Sequence, residues 1–94
     1  MTKRKIKYGI IGVSGRLGSE VKNVLNEAGH NLVFQYDVDG EVMTERPEVI
    51  IDCSLPDVFE KTMAYQHTYK TKLIVATTGL SEQQLDLLKL VLHR

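Results

Sequence analysis

The chain has 94 residues, 43% of them hydrophobic and 26% charged, the composition of one small globular domain. Twelve basic and twelve acidic side chains cancel, so charge-driven binding to nucleic acid or to an anionic membrane surface is not expected. No apolar run approaches the ~20 residues of a membrane span. The single cysteine, Cys53, excludes an internal disulfide framework and a cysteine-based zinc site, and a reduced, cytoplasmic protein is expected.

In chain order, Lys3-Arg4-Lys5 reads as a solvated start. Lys7 to Ile11 is a short apolar run that predicts a buried strand. A glycine-rich turn follows from Gly12 to Gly18. Leu17, Val21, Val24, Leu25 and Ala28 then recur on one helical face, and Gly29 stands where a C′ glycine ends a helix. Asn31 to Asp37 predicts a second strand, Asp39-Gly40 a turn, and Glu41 to Pro47 a loop. Glu48 to Asp52 is rich in β-branched residues and predicts a third strand. Ser54 is placed to cap a helix running to about Tyr69, with Pro56 in its first turn and Phe59, Met63 and Gln66 on one side. Lys72 to Ala76 is a fourth strand. Ser81 with Gln84 forms a capping-box pattern before the stripe Leu85, Leu88, Leu92. Strand, helix, strand, strand, helix, strand, helix predicts an α/β layer on a parallel sheet of about four strands, in the order 2-1-3-4. The crevice at the carboxyl ends of the first and third strands is the expected ligand site.

The glycine turn joins an apolar strand to an amphipathic helix, the context of a dinucleotide fingerprint. Glycines let phosphate oxygens approach the backbone, and a helix N-terminus offers free amides and a positive dipole end. The spacing is G-x-x-G-x-x-G at Gly12, Gly15 and Gly18 rather than G-x-G-x-x-G, so the motif is a variant, and a bare strand-to-helix turn remains the alternative. Asp37 ends the second strand 25 residues after Gly12, where fingerprint logic expects an acid on the adenosine ribose. Its other reading is a turn former before Gly40. Arg16 is placed to meet a phosphate or a 2′-phosphate. Ser54 and Thr77-Thr78-Gly79 follow strand ends facing the same crevice, and are ligand contacts or ordinary caps and turn residues. His30, His67 and His93 are scattered, without metal or triad spacing, and Cys53 has no helper base.

Three blocks carry a family resemblance: Lys7-Tyr8-Gly9-Ile10-Ile11-Gly12-Val13-Ser14-Gly15-Arg16-Leu17-Gly18, Val49-Ile50-Ile51-Asp52-Cys53-Ser54-Leu55-Pro56, and Val75-Ala76-Thr77-Thr78-Gly79. In order and spacing they resemble the 4-hydroxy-tetrahydrodipicolinate reductases, also called dihydrodipicolinate reductases, from about Ile6 to the last residue. The short link between the second and third strands resembles the compact members from thermophilic bacteria such as Thermotoga. The resemblance implies a Rossmann-like fold and, for the family, hydride transfer from NAD(P)H to a cyclic imine in diaminopimelate and lysine biosynthesis.

By position, the resemblance implies that Gly12, Val13, Ser14, Gly15, Arg16 and Leu17 form the phosphate-binding turn and that Asp37 meets the adenosine ribose. Val38 stands where NADPH-using members carry an arginine, which favours NADH. Ala76, in place of a glycine, with Thr77 and Thr78 implies the nicotinamide-ribose lining. Cys53, in place of a phenylalanine, and Ser54 imply the nicotinamide surroundings. The family's paired-histidine and lysine signature does not occur in these residues. The expectation is therefore a dinucleotide-binding domain over residues 1–94, truncated relative to the full domain, without catalytic residues or the substrate domain, and incompetent for the reaction alone. The alternatives are a stand-alone, non-catalytic nucleotide-binding or interaction module, and a fragment of another Rossmann oxidoreductase. The fourth strand is expected at an uncovered edge, which invites a homodimer by edge pairing or segment exchange.

Overall fold

The computed structural model describes residues 5–76 and 82–84. Its elements are β1 (Lys7–Ile11), α1 (Arg16–Glu27), β2 (Asn31–Asp37), β3 (Gly40–Met43), β4 (Val49–Asp52), a 3₁₀ turn (Pro56–Val58), α2 (Phe59–Tyr69) and β5 (Lys72–Val75). The strands form one sheet in the order β3-β2-β1-β4-β5. β1 runs parallel to β2 and β4, and β4 parallel to β5, which is the expected 2-1-3-4 arrangement of the four parallel strands.

The sheet is mixed and five-stranded, however, which corrects the loop expected from Glu41 to Pro47. β3 pairs antiparallel with β2, Asp37 opposite Gly40 and Phe34 opposite Met43, across the two-residue turn Val38-Asp39. Gly40 has φ +110°, a conformation that side chains disfavour. All four β3 residues are exposed. A strand without a buried face shows no apolar alternation, so only its backbone ladder defines it.

The α2 side of the sheet holds the main core. Ile11, Phe34, Ile50 and Tyr65 are buried together, with Tyr36, Val58, Tyr69 and Leu73 packed around them. The Phe34 and Tyr65 rings meet edge-to-face at 4.9 Å, and Tyr65 and Tyr69 stack at 6.2 Å. Phe59 and Met63 are buried as expected, while Gln66 is half-buried and donates from Nε2 to the Thr71 carbonyl at 3.1 Å. Arg46 Nε donates to the Tyr69 carbonyl at 2.9 Å, satisfying one of the free carbonyls at the α2 C-terminus.

On the opposite side, the Tyr8 hydroxyl donates to Asn26 Oδ1 of α1 at 2.6 Å. His30 Nδ1 accepts the Ile6 N–H at 3.0 Å, a structural role. Gly29, at φ +92°, follows the C-cap Ala28 as expected. The apolar stripe of α1 is only partly used. Val21 and Leu25 are half-buried, Leu17 and Val24 are exposed, and the fully buried residue of the helix is Gly18. The expected third helix falls almost wholly outside the described residues; residues 82–84 are helical, and Gln84 Nε2 donates to the Pro56 carbonyl at 3.0 Å. No described helix is long and apolar enough to cross a membrane.

Candidate functional site

The turn after β1 is built by two close approaches. Gly12 has φ +85°, its N–H donates to the Tyr36 carbonyl at 2.8 Å, and a Cβ there would lie 3.0 Å from the Cys53 and Ser54 backbone. At Gly18, in the first turn of α1, a Cβ would lie 2.1 Å from the Gly12 carbonyl oxygen. The two glycines thus seat the helix N-terminus directly on the turn. Gly15 is the N-cap residue, no side chain caps the helix, and no acidic residue stands in its first turn. A Cβ on Gly15 would meet only the Gly12 carbonyl oxygen, at 3.4 Å, so the space over the turn is open. An uncapped, acid-free helix start at an open glycine turn is chemically suited to a phosphate.

Asp37 is drawn to this turn. Its Oδ2 accepts the Ser14 N–H at 2.6 Å and also the Ser14 hydroxyl, while Oδ1 accepts the Val38 N–H at 2.7 Å. The hydrogen bonds from Ser14, followed by that from Val38, hold the carboxyl below the ordinary carboxylate range. At the end of β4, Asp52 is fully buried, and its Oδ1 accepts both the Ser54 N–H at 2.9 Å and the Ser54 hydroxyl. This corrects the expected helix cap. Ser54 is turned back to Asp52, Leu55 takes the N-cap position, and the helix opens as the 3₁₀ turn without a side-chain cap. Cys53, half-buried, has its thiol pushed up by burial and by the Asp52 charge, the opposite of an activated nucleophile.

A cavity of about 430 Å³ joins these elements. Gly12, Ser14, Gly15 and Arg16 line it from the turn and α1, Asp37 from β2, and Cys53 and Ser54 from the end of β4. It lies at the carboxyl ends of β1 and β4, where the chain leaves in opposite directions. Not every expected residue is gathered there. Val13 lies in the turn but outside the lining, and Leu17 and Ala76 line a separate apolar groove between α1 and β5. Thr77 and Thr78 lie outside the described residues. The crevice also takes Val38, weighed from the sequence for cofactor preference, and Tyr36, Leu55 and Val58, which sequence reasoning passed over. Adjacency to Asp37 and Ser54 was the available signal for Tyr36 and Leu55. Among the described residues no group of acidic, histidine or cysteine side chains could hold a metal ion.

Residues 6–94 match the family model described as dihydrodipicolinate reductase, N-terminus. The chain is 33% identical over 84 residues to a 4-hydroxy-tetrahydrodipicolinate reductase of Thermosipho africanus, covering 89% of this chain and 39% of that protein. It is 36% identical over 87 residues to the reductase of the same name from Campylobacter jejuni, covering 36% of that one, and 30% identical to that of Rickettsia rickettsii, covering 38%. The chain therefore spans well under half the length of these relatives. Among solved structures, the dipicolinate-bound dihydrodipicolinate reductase of Paenisporosarcina sp. TG-14 matches with a TM-score of 0.68 and 23% identity, over 94% of this chain and 43% of that one, which establishes the Rossmann-like α/β fold. With nearly its whole length matched, the chain belongs to the dihydrodipicolinate reductase N-terminus family.

Proposed function

We propose that this chain is the nicotinamide-dinucleotide-binding unit of a 4-hydroxy-tetrahydrodipicolinate reductase. The observation that carries the reading is the open, uncapped glycine turn with the Asp37 carboxylate fixed against it in one crevice. The residues fit the ligand. The α1 N-terminus and the turn residues Gly12, Val13, Gly15 and Arg16 would hold the pyrophosphate, and Asp37, which Ser14 of the same turn holds by both its donors, the adenosine ribose. Cys53 and Ser54 flank the crevice on the β4 side, with Ala76, Thr77 and Thr78 assigned to the nicotinamide ribose by the family pattern alone. NADH is favoured over NADPH, because a carboxylate repels a 2′-phosphate and Val38 supplies no cation to offset it.

The bound dinucleotide supplies a hydride, which the whole reductase transfers to a cyclic imine in diaminopimelate and lysine biosynthesis. This chain's part is to bind and orient. Its 94 residues include no group assigned to proton donation or substrate binding, so the chain alone is incompetent for the reduction. A cytoplasmic location goes with this reading. Self-association belongs to it too: β5 has no outer neighbour among the described residues, and pairing there would give a homodimer.

Titration with NADH and NADPH tests the assignment. NADH is expected to bind more tightly, and Asp37→Ala to weaken NADH by about tenfold, the scale of a hydrogen bond to a charged group, with a smaller loss for NADPH. No binding of either at millimolar concentration would leave the turn as architecture only, and equal losses would remove Asp37 from the ribose.

A further inference from the structure

The ribose acid and the phosphate turn are not independent parts of the crevice. Asp37 and Ser14 stand 23 residues apart in the chain, yet the acid takes both of the donors that Ser14 offers, the backbone N–H at 2.6 Å and the hydroxyl, on the one oxygen Oδ2. Its other oxygen accepts the Val38 N–H at 2.7 Å. Three donors on two oxygens fix the plane of the carboxylate as well as its position. Oδ1 keeps acceptor capacity for one further donor. The Ser14 N–H is spent on Asp37, so within the turn it is not a free amide for a phosphate.

We infer that Ser14 is a positioning residue that sets cofactor preference, holding Asp37 where it accepts a free ribose 2′-hydroxyl and repels a 2′-phosphate. The inference rests on the reading of the crevice as a dinucleotide site and names what regulates choice within it. The two backbone donors alone tie Asp37 to the turn and to its own neighbour. The Ser14 hydroxyl is the side-chain contact among the three, and therefore the one a substitution can remove without moving the backbone. Without it the carboxylate gains freedom about its side-chain torsions. A ribose hydroxyl then meets an acceptor that must first be ordered, and a 2′-phosphate meets a charge that can turn away.

The test uses the 94-residue chain with Ser14→Ala, Ser14→Thr and Asp37→Ala, titrated with NADH and NADPH. Ser14→Ala is expected to weaken NADH by about three- to tenfold while NADPH stays within about twofold, shifting preference in the direction of Asp37→Ala. Ser14→Thr, which keeps a hydroxyl, is expected to restore the preference. A carboxyl ¹³C titration of Asp37 reads the contact without cofactor: its midpoint is expected to rise toward the ordinary carboxylate value in Ser14→Ala and to stay low in Ser14→Thr. If Asp37→Ala shifts the preference and Ser14→Ala does not, the role of Ser14 is overturned while the dinucleotide site stands. If Ser14→Ala shifts it and Asp37→Ala does not, Ser14 acts by another route and the inference is equally overturned. Failure of the unsubstituted chain to bind either dinucleotide removes the site and the inference together.

Discussion

Gly12 and Gly18 are both glycines of one turn, but they are required for different reasons. Gly12 needs a positive φ, whereas Gly18 is an ordinary helical residue whose missing Cβ leaves room for the Gly12 carbonyl oxygen at 2.1 Å from where that atom would be. The obstruction at Gly18 is backbone, which cannot rotate away. Gly18→Ala is therefore expected to destabilise the fold by about 3 kcal/mol, at the upper end of overpacking costs, as a drop in the urea unfolding midpoint. Gly15→Ala is the control. Its Cβ would make an ordinary 3.4 Å contact, so its midpoint should stay near that of the unsubstituted chain. The G-x-x-G-x-x-G spacing was legible in the sequence as a turn, but which glycine each atom needs depends on the approach of α1 to β1.

At the scale of elements, α2, β2 and β3 are joined by an aromatic cluster. Tyr65 of α2 lies 4.9 Å from Phe34 and 5.7 Å from Tyr36 of β2, and its hydroxyl donates to Glu41 Oε1 of β3 at 3.3 Å. Lys61 Nζ sits 4.8 Å above the Tyr36 ring. Burial, then the Glu41 charge, pushes the Tyr65 hydroxyl from 10.0 up to about 12. A raised tyrosine value means that the fold favours the neutral phenol. That contribution is complete below pH 10 and is lost as pH rises through about 12. Stability measured by urea unfolding is expected to fall across this window, and to fall less steeply in Tyr65→Phe. An equal slope in the variant would mean that the remaining tyrosines carry the alkaline loss. The sequence placed the helix but not this contact, because β3 shows no apolar period from which its pairing could be read.

Across the whole molecule the two faces of the sheet are unequal. The α2 side is closed by aromatic and aliphatic side chains, whereas the α1 side keeps an apolar groove of about 450 Å³ between α1 and β5. Ile74 is 56% and Val24 65% exposed along it. Ile74 also stands on β5, beside the sheet edge that is unpaired among the described residues. Apolar surface next to a free edge favours self-association, and a lysine on an edge strand opposes it. Sedimentation at increasing concentration is expected to show association of the chain, and Ile74→Lys to shift it toward monomer with the fold retained. A monomer at all concentrations would count against edge pairing.

The sequence by itself determined the four parallel strands, their order, the helix between the first two and the glycine turn between strand and helix. These follow from runs of apolar residues, from glycine and from the handedness of crossovers, all of which are local or topological. It also named Asp37 and Ser54 at the strand ends facing the crevice. What Asp37 binds was decided by the tertiary structure: it turns to Ser14 because the β1–β2 register brings that partner within reach, and register is a long-range property of the sheet. Ser54 instead turns back to Asp52, two residues before it, a local turn contact that competes with the helix cap. The fifth strand and the partly exposed α1 stripe were likewise decided in three dimensions. β3 exists through a backbone ladder that leaves no period in its side chains, and an apolar stripe shows that a helix has a face to bury without showing what covers it.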